Sequence, residues 1–511
     1  MSSARFLSID CGTQSLRAFV FDADGEMLAR SQITFEPPYR SPEKGQAEQD
    51  ADYYWDCVVQ TCQSLWQQGI DPATLKAATV TTQRGTVVVV DSQGKPLRPA
   101  FLWLDERQTA EMPPLPVYWE KLHQLSGHQT TIHKLRRRAQ ANWLAMHDPQ
   151  TWQRTHKFLL LSGYLSFRLT GQYRDSVASQ VGYIPFDYKK HQWHAAWDWR
   201  WQALGVPRRM LPELTPPGGL LGRISEAAAR ETGLPVNLPV ISAGADKACE
   251  VLGAGCISPW QGALSFGTTA TFNTVSRKFV SINPPMPPYP AAVPGEYCLE
   301  SQIPQGFALV RYFRDQIAGP EIAAAVEWGN DWLSVLDEWL AQTPAGANGL
   351  MWQPGLSVQS SGESLSRGAL LGLGTQHSKA DWYRALVEGL LYALRDGQLH
   401  VARYTHQPVT MMFAAGGGAQ SDAVMQTAAD VFGMAIHRPH THETSGLGAA
   451  ICAAVGTGVY PDFPAAVKAM SRVTRIFYPR ADRAAIHEQL FQQVYRPWIR
   501  SLAELYAHLR D

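Results

Sequence analysis

The chain has 511 residues, enough for about three ordinary domains or two large ones. Hydrophobic residues make up 45% and charged residues 18% of it, which is typical of a globular protein and excludes a disordered chain. The 45 Lys and Arg residues balance the 45 Asp and Glu residues. Because nucleic-acid-binding domains are strongly basic, this zero net charge argues against a general nucleic-acid binder, although a local basic pocket stays open.

Cysteine content and hydropathy indicate the cellular compartment of the protein. The seven Cys residues are sparse and form no Cys-x-x-Cys pair, which favours a reducing compartment and no zinc cluster. The apolar stretch before Asp10 is too short for a secretory signal, and the most apolar run, residues 447–455, is too short to span a bilayer. We therefore expect a cytoplasmic protein without a membrane or nucleic-acid partner.

The N-terminal third predicts an antiparallel sheet followed by mixed elements. Strand patterns cover 5–9, 16–21 and 27–35, separated by the polar loop that begins at Asp10 and by an Asp-Gly turn. Helical spacing follows over 53–67, and a β-rich stretch over 77–90 is broken by Gln83-Arg84-Gly85. We expect helices over 139–146 and 152–169, a strand over 240–245 that ends at Asp246, and a helix over 247–252.

The second half repeats the opening pattern. Strands over 262–266 and 270–275 flank Gly267-Thr268-Thr269, as the first two strands flank Gly12-Thr13, so the chain reads as two related halves. Residues 284–294 are proline-rich and predict a surface loop. Further on we expect helices over 381–404, 422–432 and 445–455, and a strand over 409–415 that enters a glycine run, residues 416–418.

Three features could carry chemistry, and each also has a structural interpretation. The two Gly-Thr loops suit phosphate oxygens, with Asp10 able to hold Mg²⁺, or they are ordinary hairpin turns. Asp246 could take a proton from a hydroxyl, or it could cap its helix. The glycine run allows close approach of a planar group such as adenine, or it is a tight turn before a helix. His437, His440, His442 and Glu443 cluster, but their spacing matches no metal site.

Together these motifs resemble the FGGY family of carbohydrate kinases over nearly the whole chain. The resemblance rests on short segments in the family's order: residues 10–15, 103–107, 168–175, 244–246, 266–269, 416–422, 425–431 and 443–445. It implies an α/β fold of two actin-like (ribonuclease-H-like) domains that flank a deep cleft. We place the substrate domain with the first phosphate loop at 1–248, and the domain with the second phosphate loop and the adenosine site at 249–511.

The resemblance also implies a reaction and its residues. The protein would be an ATP- and Mg²⁺-dependent kinase for a small-molecule sugar or polyol, with Asp246 as the catalytic base and Asp10 on the metal; a homodimer is one assembly it allows. The implied nucleotide and phosphate residues are Asp10, Gly12, Thr13, Gln14, Ser15, Arg17, Gly267, Thr268, Thr269, Gly306, Gly417, Gly418 and Ser421. The implied substrate residues are Gln83, Arg84, Trp103, Asp105, Arg107, Asp246 and Lys247.

Departures from the family pattern leave the sugar open. Glycerol kinases of the family carry Glu where this chain has Gly85, and the family has Gln or Asn where this chain has Lys247. Lys247 could contact a substrate oxygen or form an ion pair with Glu250. The resemblance implies a linear ketose, pentulose or polyol as the substrate, because such substrates are typical of the family.

Two other functions stay open on the sequence. One is a non-enzymatic actin-like ATPase switch, for which the same phosphate loops would serve, and the other is a sugar-binding pseudokinase. A dehydrogenase is excluded because the Gly-x-Gly-x-x-Gly fingerprint is absent.

Overall fold

The structure is a computed structural model that describes residues 4–112, 114–116, 118–121, 129–282, 287–328, 331–355, 367–506 and 508. The chain divides into two compact units. The first comprises Met1–Gly253, Tyr289–Glu296 and Ser445–Ser471, and the second comprises Ala254–Pro288, Tyr297–Thr444 and Arg472–Asp511. The division into domains 1–248 and 249–511 stays a prediction.

The strands come in chain order. They are β1 (Arg5–Cys11), β2 (Ser15–Asp22), β3 (Met27–Thr34), β4 (Glu48–Gln49), β5 (Leu75–Thr82), β6 (Val87–Val90), β7 (Ala100–Phe101), β8 (Lys157–Leu160), β9 (Arg174–Ser176), β10 (Phe186–Asp187), β11 (Gln192–Trp193), β12 (Glu213–Thr215), β13 (Leu220–Arg223), β14 (Pro239–Ser242), β15 (Gln261–Phe266), β16 (Ala270–Ser276), β17 (Tyr289–Pro290), β18 (Tyr297–Ile303), β19 (Met351–Gln353), β20 (Ala369–Leu371), β21 (Met411–Ala415), β22 (Ile436–Pro439) and β23 (Val473–Phe477).

The α-helices alternate with these strands along most of the chain. They are α1 (Ala51–Gln67), α2 (Gln129–Arg138), α3 (Gln140–His147), α4 (Pro149–Arg154), α5 (Leu161–Thr170), α6 (Trp199–Leu204), α7 (Glu226–Thr232), α8 (Asp246–Gly253), α9 (Ala308–Gln316), α10 (Gly319–Glu327), α11 (Trp332–Gln342), α12 (Lys379–Thr405), α13 (Asp422–Phe432), α14 (Thr444–Gly456), α15 (Phe463–Met470), α16 (Ala481–Leu490) and α17 (Arg496–Tyr506). Within the described ranges we find no helix whose length and hydropathy would let it cross a bilayer.

The main sheets of the two units have the same pairing pattern. In the first unit the order is β3-β2-β1-β5-β14-β13, and in the second it is β18-β16-β15-β21-β22-β23. Along both orders the neighbours pair antiparallel, antiparallel, parallel, parallel and antiparallel. The shared pattern supports the two related halves expected from the sequence.

Each unit has its own hydrophobic core between the sheet and its helices. In the first unit α1 and α5 cover the sheet, and α1 begins where the Asp50 side chain accepts the N–H of Asp52. In the second unit the 27-residue α12 lies against β16 and β18, and a capping box of Ser378 and Asp381 starts it. Local caps and apolar faces therefore account for the long helices, which the periodicity predicts correctly.

Two predicted elements are wrong. The pattern over 152–169 suggests one helix, but the structure has α4, β8 and α5 there. The apolar run at the centre pairs with β6 as a buried strand, and periodicity cannot distinguish such a short run from a helix turn. Of the predicted surface loop over 284–294, residues 284–286 lie outside the described residues, whereas Tyr289–Pro290 forms β17 and the two alanines after it are buried.

Candidate active site

In each unit the predicted loops lie at one edge of the main sheet. In the first unit β1, β5 and β14 run parallel, and Asp10, Gln83 and Asp246 lie at or after their carboxyl ends. In the second unit Gly267 and Gly416 directly follow the parallel strands β15 and β21. Because ligands of open α/β sheets bind outside the carboxyl ends of the strands, these edges are the candidate sites.

Asp10 is held by Arg17 on the neighbouring strand. The two residues face each other across the β1–β2 ladder, and Arg17 Nη2 lies 2.6 Å from Asp10 Oδ2. Asp10 is 1% exposed, whereas Arg17 reaches the surface. This pairing neutralises a buried carboxylate where the first loop begins. Gly12, Thr13, Gln14 and Ser15 form the turn that follows, closed by a 3.0 Å bond from the Gly12 N–H to the Ser15 carbonyl.

A chain of hydrogen bonds fixes this loop to the end of β5. The Trp103 indole N–H donates to Thr13 Oγ1 at 2.9 Å, and the Thr13 hydroxyl donates to Gln83 Oε1 at 2.9 Å. Gln83 Nε2 then donates to the Tyr54 hydroxyl at 3.3 Å. Trp103 is still 45% exposed, so its ring offers an apolar surface next to the polar loop. The structure thus brings three of the predicted site residues together.

Asp246 combines partial burial with nearby positive charge. Its side chain is 30% exposed, and Arg84 Nε lies 4.0 Å from its Oδ1. Burial raises the pKa of the Asp246 carboxyl to about 6, while the charges of Arg84 and Lys247 oppose the rise and that of Asp10 adds to it. Oδ1 also accepts the N–H of Lys247 at 2.7 Å at the start of α8. A cap would accept the N–H two or three residues on, so this contact with the next residue is not a capping bond, and it leaves the carboxylate able to accept a proton.

The other predicted substrate residues of the first unit have protein partners. Arg84 lies over the Tyr289 ring, with its guanidinium carbon 4.7 Å from the ring centroid. Lys247 Nζ forms an ion pair with Glu250 Oε2 at 2.6 Å, which is the structural alternative left open by the sequence. Gly85 has a φ of +74°, which disfavours the Glu found there in glycerol kinases.

Asp105 and Arg107 form part of a buried network. Arg107 Nε and Nη2 donate to the two Asp105 oxygens at 2.7 Å each, and Nη2 also donates to Glu48 Oε1 at 2.7 Å. The Ala47 N–H donates to Asp105 Oδ2 at 2.8 Å. Both side chains are almost fully buried, so this pair shapes the chain around Trp103, and its contact with a substrate stays a prediction.

The second Gly-Thr loop packs against the start of α9. The N–H of Phe307 donates to the Gly267 carbonyl at 3.0 Å, and the N–H of Ala308 donates to the Thr268 carbonyl at 3.2 Å. A Cβ on Gly306 would lie 2.1 Å from the Ala270 nitrogen, so only glycine fits there. The Thr268 side chain is exposed. Gly306 therefore sets the close packing of the loop.

The glycine run after β21 has one open position. A Cβ on Gly418 would lie 2.5 Å from the Phe307 ring, whereas a Cβ on Gly417 meets no atom of the described residues within 4 Å. Ser421 is buried; its hydroxyl donates to Asp337 and accepts the N–H of Val424 at 2.9 Å, so it caps α13. Gly417 is thus the position that a ligand could approach, and Ser421 supports the helix beside it.

The carboxylates of the first unit fit a magnesium ion that is bound together with phosphates. The described residues contain no group of three or more His, Cys, Asp or Glu side chains that could hold a metal. Mg²⁺ often takes only one or two carboxylates and completes its shell with water and substrate phosphates. Asp10 and Asp246 lie near enough that, besides burial, the Asp10 charge raises the pKa of Asp246. This donor set fits Mg²⁺ and does not fit a cage made of protein ligands alone.

Sequence reasoning missed four contact residues. Tyr54 and Tyr289 contact Gln83 and Arg84, Ser445 contacts the Asp246 backbone, and Asp337 holds Ser421. Ser445 ends the family segment 443–445 but carries no predicted site role, and no local motif marks the other three, because each contact joins segments that are far apart in the sequence.

Comparisons with known proteins show the family of the chain. Residues 5–253 match the FGGY family of carbohydrate kinases, N-terminal domain, and residues 262–457 match its C-terminal domain. The chain is similar to a xylulose kinase of Staphylococcus epidermidis (26% identity over 98% of each chain) and to an autoinducer-2 kinase of Salmonella paratyphi A (27% identity over 96% of this chain and 94% of the relative). In fold it is similar to gluconate kinase from Lactobacillus acidophilus, with a TM-score of 0.82 at 20% identity and coverage of 99% and 100%.

The fold and both family matches define a two-domain α/β phosphotransferase of the actin-like type. The chain belongs to the FGGY family of carbohydrate kinases and is an enzyme of that class. The family resemblance and the α/β fold class predicted from the sequence are thereby confirmed.

Proposed function

We propose that the protein transfers the γ-phosphoryl group of ATP to a hydroxyl of a sugar or polyol, with Asp246 as the general base. The single observation that carries this proposal is Asp246 itself. It is a half-buried carboxylate with a pKa raised to about 6, at the carboxyl edge of the parallel strands and 4.0 Å from a guanidinium. A proton acceptor works best when its pKa is near the operating pH. A linear ketose, pentulose or polyol is the proposed acceptor.

The first unit would bind the acceptor. The guanidinium of Arg84 would donate to the acceptor beside Asp246, and the exposed face of Trp103 would offer an apolar surface for the carbon skeleton. Gln83 and Lys247 are the other proposed substrate residues of this unit. Asp105 and Arg107 would support the Trp103 segment. The polar groups are already held by protein contacts, which lowers the entropic cost of orienting a substrate.

Each unit carries a Gly-Thr loop that would bind phosphate oxygens. In the second unit Gly267, Thr268 and Thr269 would line phosphate oxygens, and the open side of Gly417 would face the adenosine. In the first unit Thr13 and Gln14 would also line phosphate oxygens, and Asp10 would hold Mg²⁺ through water. When bound, the metal supplies neutralisation of the phosphate charge.

In the proposed transfer one proton moves to Asp246 and one phosphorus–oxygen bond replaces another. Asp246 accepts the proton of the acceptor hydroxyl, the oxygen forms a bond to the γ-phosphorus, and the bond from that phosphorus to the β,γ-bridging oxygen breaks. The products are the sugar phosphate, ADP and the proton on Asp246. Positioning and charge neutralisation dominate such transfers, because their transition states involve little covalent chemistry with the protein.

The raised pKa of Asp246 predicts an acidic limb in the pH profile. Only the ionised carboxylate can accept a proton, so kcat/KM for the sugar should be constant above about pH 6 and fall about tenfold per pH unit below it. Because the Arg84 charge lowers this pKa, Arg84→Gln should move the limb to higher pH, while Arg84→Lys should leave it in place. The measurement is kcat/KM from about pH 5 to 8. A profile that is flat through this range would contradict the assignment.

The open side of Gly417 predicts a steric effect on the nucleotide. Gly417→Val should fold normally, because its Cβ meets no described atom within 4 Å, and it should raise the KM for ATP about tenfold by filling the space that adenosine needs. Gly319→Val is the matched control, since a Cβ there has its nearest neighbour at 4.0 Å. Steady-state kinetics at varied ATP give the result. An unchanged KM for ATP in Gly417→Val would move the adenosine site elsewhere.

A coupled ADP-release screen tests the proposed function. Wild-type protein with ATP and Mg²⁺ is assayed against pentuloses, hexuloses, polyols and sugar acids, and without any acceptor. At least one acceptor should raise ADP release well above the acceptor-free rate, and a phosphorylated product should appear by mass spectrometry. ATP hydrolysis that no acceptor changes would instead support an actin-like nucleotide switch.

A further inference from the structure

The turn over residues 243–246, which joins β14 to α8 and carries Asp246, is held through its peptide groups by three other segments. The first segment is the end of β9 and the turn after it. The Ser176 hydroxyl donates to the Ala243 carbonyl, and the Ala178 carbonyl accepts the N–H of Ala245 at 3.1 Å. Ser176 is buried, so its bond does not compete with water.

The second contact comes from α8 itself. The N–H of Gly244 donates to Cys249 Sγ at 3.2 Å, and the Cys249 thiol lies 3.4 Å from the Gly244 carbonyl, so one side chain holds both polar groups of that residue. Cys249 is fully buried. A Cβ on Gly244 would lie 2.9 Å from the Ala248 Cβ, so the turn is also tightly packed at this point.

The third contact comes from α14, nearly two hundred residues later in the chain and within the same unit. The Ser445 hydroxyl donates to the backbone carbonyl of Asp246 at 3.3 Å. Further along α14, a Cβ on Gly448 would lie 1.9 Å from the Cys249 carbonyl, so α14 contacts the backbone of α8 directly. The position of Asp246 is therefore determined by α14 as well as by its own helix.

We propose that Ser176, Cys249 and Ser445 are positioning residues for Asp246. Each contacts the backbone of the turn and none contacts the carboxylate, so each acts by setting the direction in which the Asp246 side chain leaves the backbone. A displacement of about 1 Å in a reacting group can cost about a hundredfold in rate. The proposal rests on the proposed role of Asp246 as the base.

The test compares truncated and conservative variants. Ser445→Ala and Cys249→Ala should each lower kcat for sugar phosphorylation about tenfold, with KM for ATP unchanged, because the nucleotide loops are untouched. Ser445→Thr and Cys249→Ser keep a hydrogen-bonding atom and should retain most of kcat. The matched control is Ser471→Ala. It removes a 3.0 Å hydrogen bond from the Ser471 hydroxyl to the carbonyl of Gly253, at the end of α8 opposite to Asp246, and should leave kcat unchanged.

A double variant separates this proposal from the proposed function. In the Asp246→Asn background, Ser445→Ala should cause no further loss of the residual rate, because the group it positions is already gone. Wild-type kcat in Asp246→Asn would overturn the proposed function. If Asp246→Asn is inactive but Ser445→Ala and Cys249→Ala keep the wild-type kcat, only the positioning role is overturned. The positioning role is also overturned if the losses from Asp246→Asn and Ser445→Ala multiply in the double variant. If Cys249→Ala does not fold, the half-buried Ser445 carries the test.

Discussion

Replacing Asp246 with asparagine is expected to lower kcat for sugar phosphorylation by about a hundredfold or more. The amide has nearly the same shape and its oxygen can still accept the N–H of Lys247, which the carboxylate accepts at 2.7 Å. The local fold should therefore survive, while the proton acceptor is lost. Nucleotide affinity should stay near that of the wild type, because the loops proposed to bind ATP do not include this residue. Steady-state kinetics and direct titration with ATP measure the two quantities.

The control for this prediction is a second carboxylate of the first unit. Asp52 accepts hydrogen bonds from Arg168 and the Tyr164 hydroxyl and is not among the proposed substrate or nucleotide residues, so Asp52→Asn should leave kcat unchanged. Asp246→Glu keeps the charge and moves it outward by one carbon, so it should fall between the wild type and Asp246→Asn. A kcat within tenfold of the wild type for Asp246→Asn would remove Asp246 from the role of base.

The predictable part of the site is the part carried by single strands and the turns after them. Asp10 and Asp246 could be proposed because each lies at the end of an apolar run, whereas Gln83 is implied only by the family resemblance. The pairing of β1, β5 and β14 brings the ends of these strands to one edge. The related halves could be predicted in the same way, from a repeated strand, loop and strand. The strands and turns need only the local hydrophobic pattern, whereas the roles of the residues in the turns come from the family resemblance.

The contacts that hold the site could not be predicted, because they depend on packing between distant segments. Ser445 reaches Asp246 through α14, and Tyr289 lies under Arg84 in a segment that the sequence suggested was a surface loop. The pairing of Lys247 with Glu250 was only one of two alternatives, since spacing permits an ion pair but does not exclude a substrate contact. Packing between distant segments therefore determines the side-chain contacts that the local sequence does not specify.

A buried ion pair in α12 carries the prediction for stability. Arg384 and Glu388 bond to each other and are 1% and 3% exposed. Arg384 Nη1 also donates to the Leu340 carbonyl at 2.7 Å, and Glu388 Oε1 accepts the N–H of Gly346 at 3.1 Å. His487, fully buried, lies 3.8 Å from the same carboxylate oxygen. Burial lowers the pKa of His487, and although the Glu388 charge opposes this, the imidazole should be neutral at pH 7.

Glu388→Ala is expected to lower the free energy of unfolding of the second unit by about 3–5 kcal/mol, because it leaves the Arg384 charge buried without its counter-ion. Replacing both residues, as Arg384→Met with Glu388→Leu, should recover most of this loss, since no charge is then left in the core. The control is the exposed pair of Lys379 and Glu321, where Glu321→Ala should cost less than about 1 kcal/mol. Denaturant titration, with hydrogen exchange along α12, measures the change. If the double variant is no more stable than Glu388→Ala, the loss comes from the missing acceptor for Gly346 and from lost packing, and the charge argument fails.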